Sequence, residues 1–289
     1  MISVFKRKKK LKKNGRSFGG NLVIMIFLLA LAGFMATPLV YAVATALKPL
    51  DELFAFPPKF YVTRPTLDNF KQLFRLTSNL WVPFSRYIFN SLFTSILATA
   101  GHVLISSMAA YVLAKNRTMV NGFFKLVVMA LLFNGTVLWL PQYVIMSKMG
   151  IINTYWVYIL PSLAQPLGLF LMKQFMEQVP DALIEAAKIE GAGHFKIFTR
   201  VIMPMVKPAW LTLTIFCFQT VWNSAHDSQI FNEELKVINS AISQVSAGGI
   251  ARTGAAMAGS LFVMIPPIIV FLISQSSVIE TMAHSGVKG

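Results

Sequence analysis

The chain has 289 residues, of which 55% are apolar and only 13% charged, and its net charge is +15 at neutral pH. This balance falls outside the range of soluble globular chains, and the apolar residues gather in long charge-free runs, so the composition describes an all-α integral membrane protein. The positive excess does not describe a nucleic-acid binder, because it flanks the apolar runs and no basic domain interleaved with aromatic residues accompanies it.

In chain order, Lys6, Arg7, Lys8, Lys9, Lys10, Lys12, Lys13 and Arg16 make residues 1–20 a basic tail that fixes orientation and meets anionic headgroups. The uncharged stretch from Ser17 to Leu47 exceeds the ~7–15 apolar residues of a signal core and predicts a retained anchor. A first span over 21–46, kinked at Pro38, and the loop behind it form a unit at 21–85. In that loop Phe54, Phe56, Phe60, Tyr61, Phe70, Phe74 and Trp81 suit a membrane interface, and Asp68–Leu76 suits a short amphipathic helix.

Residues 86–289 form the core, with a second span at about 87–113 that contains His102. Spans two to five hold no carboxylate, so a proton relay lacks partners and His102 is expected to be satisfied by a neighbouring helix. Lys115, Arg117 and Lys125 precede a third span at 126–146, and a fourth covers 155–172. Asn134, Gly135, Pro141 and Gln142 interrupt the third, as do Pro161, Gln165, Pro166 and Gly168 the fourth. Broken helices expose backbone that lipid cannot satisfy, which places them inside a bundle or along a watery path.

A polar stretch, Val179 to Pro208, separates the fourth span from a fifth at 209–222. Pro180 suits a first helical turn, with Asp181 and Glu185 near the positive end of the helix dipole. Gly191 or Gly193 can take the left-handed conformation that ends that helix. A second helix starts near His194, and Pro204 and Pro208 discourage its continuation. The fifth span contains Cys217, the one cysteine, which reads as a small core residue and excludes an internal disulfide. A sixth span, 258–278, holds the pair Pro266–Pro267, expected to kink it. Six spans put both termini on one side, together with Lys173, Lys188, Lys196, Arg200 and Lys207, and the positive-inside rule makes that side cytoplasmic.

Within the polar stretch Glu185-Ala186-Ala187, three residues, Gly191, nine residues, Val201, one residue, Met203 and Pro204 resemble the "EAA" loop of the membrane subunits of ABC importers. Glu190 stands where the family usually has aspartate, and Val201 and Met203 replace isoleucine and leucine, all conservative departures. Trp222-Asn223, Met257-Ala258-Gly259-Ser260, Pro266 and the ending Ser285-Gly286-Val287-Lys288-Gly289 extend the likeness to carbohydrate-importer permeases of the maltose type. Ser224-Ala225 and Gln275-Ser276-Ser277 depart from that pattern.

The resemblance implies a cytoplasmic coupling helix between spans four and five, with Glu185, Ala186, Ala187, Glu190, Gly191 and Pro204 at the contact with an ATPase subunit. It implies a multi-pass protein of the bacterial cytoplasmic membrane that moves a carbohydrate inward by alternating access. It further implies an ATP-binding subunit dimer, a second homologous permease and an extracytoplasmic substrate-binding protein as partners. The chain has no G-x-x-x-x-G-K-[ST] loop, metal-ligand cluster or nucleophile constellation. It is therefore expected to be a non-catalytic pore subunit, with ATP and Mg held by the separate ATPase.

Asn90, Asn134, Gln142, Tyr143, Gln165, Gln219, Trp222 and Asn223 offer the neutral hydrogen-bonding groups and aromatic faces that suit a saccharide. The same groups also join helices to one another. A peptide or phosphate permease of the same type, an ion-coupled secondary transporter and a membrane scaffold are the alternatives.

Overall fold

The structure, a computed structural model, describes residues 18–57, 59–78, 82–115, 120–133 and 135–286, and all regular structure among them is helical. The block Lys6–Arg16, Trp81, Arg117, Asn134 and the closing Val287, Lys288 and Gly289 lie outside the described residues.

The first apolar run forms α1 (Phe18–Leu47) and continues through Pro38. Its buried residues, Ala44, Thr45 and Ala46, sit at the C-terminal end. After a single turn, α2 (Leu50–Leu53), the expected amphipathic helix follows as α3 (Asp68–Ser78), which buries Asn69, Leu73 and Thr77. A helix end leaves carbonyls without partners. The Asn69 amide donates to the carbonyls of Ala46 at 2.9 Å and Lys48 at 2.7 Å, closing the end of α1. Gly254 makes room for it, since a Cβ there would fall 2.2 Å from Asn69 Oδ1.

The next run forms α4 (Phe84–Lys115), which buries Ser91, Ser95, Ala98, His102, Ser106 and Ala110 along one face. Small residues at helical spacing let neighbouring backbones approach closely, which is how membrane helices associate when burial of apolar area no longer drives them. α4 accordingly packs against four later helices introduced below, and carries no proline.

The third and fourth expected spans are not single helices. The third divides into α5 (Val120–Ala130) and α6 (Gly135–Lys148), and the fourth into α7 (Trp156–Leu163) and α8 (Pro166–Glu177). The breaks fall before Gly135 and at Gln165–Pro166, where the backbone lacks helix-forming side chains or a donor; Pro141 and Pro161 are absorbed inside α6 and α7.

The polar stretch forms α9 (Asp181–Ile189), α10 (His194–Ile197), a wide π turn over Phe198–Ile202 and α11 (Met203–Met205). It then turns by 80° into α12 (Lys207–Trp222). Pro204 therefore does not stop the second helix as expected. The wide turn before it accommodates the missing N–H, and the chain bends at Val206 instead.

After a loop come a 3₁₀ turn at Glu233–Leu235, α13 (Ile238–Ser246) and α14 (Thr253–Gly286). α14 runs through Pro266 and Pro267 as one helix. α4 meets α7, α8, α12 and α13, while α14 joins α1, α3, α12 and α13. Among the described residues three helices are long and apolar enough to cross a membrane, Gly19–Leu47, Phe84–Lys115 and Ile250–Gln275, with a fourth if the bent pair His194–Met205 and Lys207–Trp222 is one span. The sixteen residues of α12 alone fall short of the ~20 needed.

Candidate functional site

The hairpin from Val179 to Val206 is held to the bundle by its apolar residues. Val179, Ile184, Ile197, Phe198, Ile202 and Val206 are buried together with Ala110 of α4, Met172 and Met176 of α8, and Ala209 and Leu213 of α12. Pro180 is the cap residue of α9, in extended conformation. Of the two glycines, Gly191 takes the positive φ, +79°, and Gly193 stays at −69°. The N–H of Ala192 reaches Ala187 O at 2.9 Å and that of Gly191 reaches Lys188 O at 3.0 Å, the paired bonds of a Schellman ending.

With Ile184 turned inward, α9 presents Glu185, Ala186 and Glu190 outward, with Ala187 half-buried. Exposed apolar side chains accompany them: Ile189 is 89% exposed and Phe195 74%. Pro204 is exposed as well. The last residue of α4, Lys115, clamps the start of α9, donating to Val179 O at 2.7 Å and Asp181 Oδ1 at 2.6 Å.

Of the eight polar residues expected along a substrate path, Asn134 lies outside the described residues, and the other seven are spread over α4, α6, the start of α8 and the end of α12. Asn90 is buried, with its amide donating to Glu234 O and Lys236 O, both at 2.8 Å, and its Oδ1 accepting from the Tyr155 hydroxyl at 2.8 Å. Trp222 is buried and stacks on Phe218; its indole donates to Val263 O at 2.8 Å. Gln142 and Tyr143 are half-buried on α6, Tyr143 stacking on Trp139. Gln165 caps α8 and borders a cavity of about 320 Å³, shared with Ser106, Phe123 and Ala130. Gln219 is half-buried on α12, and Asn223 is exposed at its end.

His102 is buried, with Nδ1 3.4 Å from Leu163 O, a carbonyl released where α7 ends. It sits against Gly168, where a Cβ would lie 2.2 Å from its Nε2. One rule covers several of these contacts. Trp210 Nε1 donates to Met203 O at 3.2 Å beside the bend before α12, so carbonyls freed by breaks or prolines receive a ring nitrogen from an aromatic or imidazole side chain.

A second polar cluster, not expected from the sequence, joins the start of α4 to the segment after α12. Tyr87 donates to Glu233 Oε1 at 2.7 Å, Lys236 pairs with Glu233 at 2.6 Å, Gln244 donates to the same carboxylate at 2.8 Å, and the Ile238 N–H reaches Ser91 Oγ at 2.8 Å. Burial alone would push the Glu233 carboxyl up, but the hydrogen bonds from Lys236, Tyr87 and Gln244 hold it below its usual value. These partners lie up to about 150 residues apart, so no local pattern marks them.

The all-helical bundle with apolar spanning helices and an anchored polar hairpin defines a multi-pass membrane protein. No family model matches the chain. The arabinooligosaccharides transport system permease protein AraQ of Halalkalibacterium halodurans is 30% identical over 275 residues, 90% of this chain and 94% of AraQ. Protein LplC of Bacillus subtilis is 31% identical over 217 residues, 73% of this chain and 69% of LplC. A chain of a bacterial ABC transporter involved in the import of the acidic polysaccharide alginate shares the fold, with a TM-score of 0.74 at 18% identity, over 91% of this chain and 99% of that one. The chain belongs to the permease subunits of ABC importers, in the carbohydrate-uptake group.

Proposed function

We propose that this chain is one half of the membrane pore of an ATP-driven importer, passing a carbohydrate, an oligosaccharide by the likeness to AraQ, from an external binding protein to the cytoplasm. The observation that carries the reading is the hairpin. α9 is anchored by Ile184, closed by Gly191 and clamped by Lys115, yet offers Glu185, Ala186, Glu190 and Ile189 to a partner. That partner is a dimeric ATPase, which holds ATP and Mg while this chain does no chemistry. Movement of α9 on ATP binding is passed as a rigid body to α8 and α12, opening the pore alternately to either side.

In this reading six crossings are made by α1, α4, α5 with α6, α7 with α8, the hairpin's second arm with α12, and α14. Both termini face the cytoplasm, behind the tail 1–20, the first span and loop 21–85 and the core 86–289. A second, homologous permease completes the pathway. Gln142, Tyr143, Gln165, Gln219 and Asn223 keep uncommitted polar groups for substrate; Asn90 and Trp222 spend theirs on other helices.

The test is ATPase activity of the complex purified in lipid with its co-isolated subunits, with and without loaded binding protein, in the wild type and in Gly191→Pro. Stimulation by an oligosaccharide-loaded binding protein, abolished by the substitution, is the expected result. A complex stimulated by peptide or phosphate instead would move the substrate, and absence of any co-purified ATPase would end the importer reading.

A further inference from the structure

Several helices of this chain carry internal prolines. α1 contains Pro38, α6 Pro141, α7 Pro161 and α14 Pro266 and Pro267. Among the described helices of thirty residues or more, only α4 has a proline-free ladder, 32 residues from Phe84 to Lys115, or about 48 Å of continuous helix. An unbroken helix transmits displacement along its axis, whereas proline sites and short breaks give way.

Both ends of α4 are tied by side chains to the segments with which the proposed partners would engage. At its start Tyr87 holds Glu233, Asn90 holds the carbonyls of Glu234 and Lys236, and Ser91 holds the N–H of Ile238. These bonds fix the 3₁₀ turn Glu233–Leu235, in the loop on the binding-protein side. At the other end Lys115 grips the connection between α8 and α9 through Val179 O and Asp181 Oδ1. The Lys115 side chain is only 16% exposed, so the clamp is shielded more than a surface ion pair, and its bond to a backbone carbonyl fixes the position of the main chain.

We infer that α4 is the strut that reports occupancy of the outer loop to the ATPase-facing hairpin, with Tyr87 and Ser91 as positioning residues at one end and Lys115 at the other. This inference rests on the importer reading and specifies its regulation. Docking outside displaces the Glu233–Ile238 segment; its four ties carry that displacement into the first turns of α4; Lys115 delivers it to the first turn of α9. The hairpin's apolar anchor, to α8, α12 and Ala110 of α4, does not involve Lys115, so loss of Lys115 leaves α9 seated and removes only the polar tie between the end of α4 and the start of α9.

The experiment compares basal and binding-protein-stimulated ATPase of the whole complex in proteoliposomes for wild type, Lys115→Ala, Lys115→Arg, Tyr87→Phe and the pair Tyr87→Phe with Lys115→Ala. Basal activity is expected to stay the same. Stimulation is expected to fall about tenfold in Lys115→Ala, to be largely restored in Lys115→Arg, and to fall no further in the pair than in its more damaged single variant, because the two act in series. A hairpin that merely lost stability would change basal activity too. Full stimulation in assembled Lys115→Ala, or losses that multiply in the pair, would overturn the strut. Failure of the wild type to respond to binding protein would instead overturn the importer reading beneath it. Should Lys115→Ala fail to assemble, Tyr87→Phe with Ser91→Ala decides the matter from the outer end by the same readout.

Discussion

The indole N–H of Trp222 donates to the carbonyl of Val263, the carbonyl that Pro267, four residues on, leaves without its helical donor. The bond lets α14 keep a proline pair in mid-helix without leaving that acceptor unsatisfied away from water. It also uses the one hydrogen-bonding group of the Trp222 side chain, which makes this buried residue a joint between α12 and α14.

Trp222→Phe keeps the stacking on Phe218 but orphans Val263 O, and is expected to destabilise the chain by about 1–3 kcal/mol. Adding Pro267→Ala restores an N–H in the helix and should recover most of the loss. Thermal unfolding of the two variants in detergent reads this directly; a second substitution that adds to the damage would contradict the account.

Gly168→Ala would set a methyl 2.2 Å from His102 Nε2 and 2.7 Å from Ser106 Oγ, between α4 and α8. The buried His102 and Ser106 side chains must shift or the helices part, at about 1–3 kcal/mol, with poor recovery of assembled complex. Gly122, where nothing lies within 4 Å of an added Cβ, serves as the control. Equal yields for the two alanine variants would remove the close approach as an explanation.

Gly191 ends α9 at φ +79°. An alanine in that region costs about 1–2 kcal/mol, and asparagine less. The expected order of binding-protein-stimulated ATPase is wild type, then Gly191→Asn, then Gly191→Ala, with hydrogen exchange at 186–192 rising in the same order. A Gly193→Ala variant, at an ordinary negative φ with open space around it, should match the wild type.

His226, in the loop after α12, packs edge-on against Tyr158 with ring centroids 5.0 Å apart. Burial lowers its affinity for a proton below the ordinary value of 6.5, and neighbouring Asp227 offsets only part of this. The packed loop therefore holds His226 neutral. Above about pH 6.5 packed and released loops bind protons equally, and nothing changes. Below it the released loop takes up a proton first, so the packed form loses stability as pH falls toward the lowered pKa. Protection from hydrogen exchange over 223–237, corrected for the intrinsic pH dependence of amide exchange, should fall between pH 7.5 and 5.5, and His226→Asn should flatten that profile.

Much of this architecture was legible because it follows from local backbone chemistry. Pro180 before α9, the left-handed glycine after it, and the break at Gln165–Pro166 each depend on a residue whose own φ or missing N–H decides the matter. His102 was legible in part: its Nδ1 lies 3.4 Å from Leu163 O on a neighbouring helix, while its buried Nε2 meets no partner among the described residues. What escaped was the partner's identity. Pro141 and Pro161 read as interruptions, but each lies within a helix that continues past it. Asn90 and Trp222 read equally well as sugar contacts or helix joints, and the partners they bond, Glu234, Tyr155 and Val263, are distant in sequence.

The amide of Asn69 gives the chain a direction in time. The end of the first helix is finished by a side chain from α3, and Gly254 at the head of the last helix leaves the room that side chain occupies. A chain inserted from its N-terminus thus finishes the end of its first helix once α3 is made, and that joint stays uncovered until the last helix arrives. The seam between first and last helices is the clasp fastened at the end of synthesis, and a truncation before Gly254 leaves α1 held by α3 without the helix that closes over both.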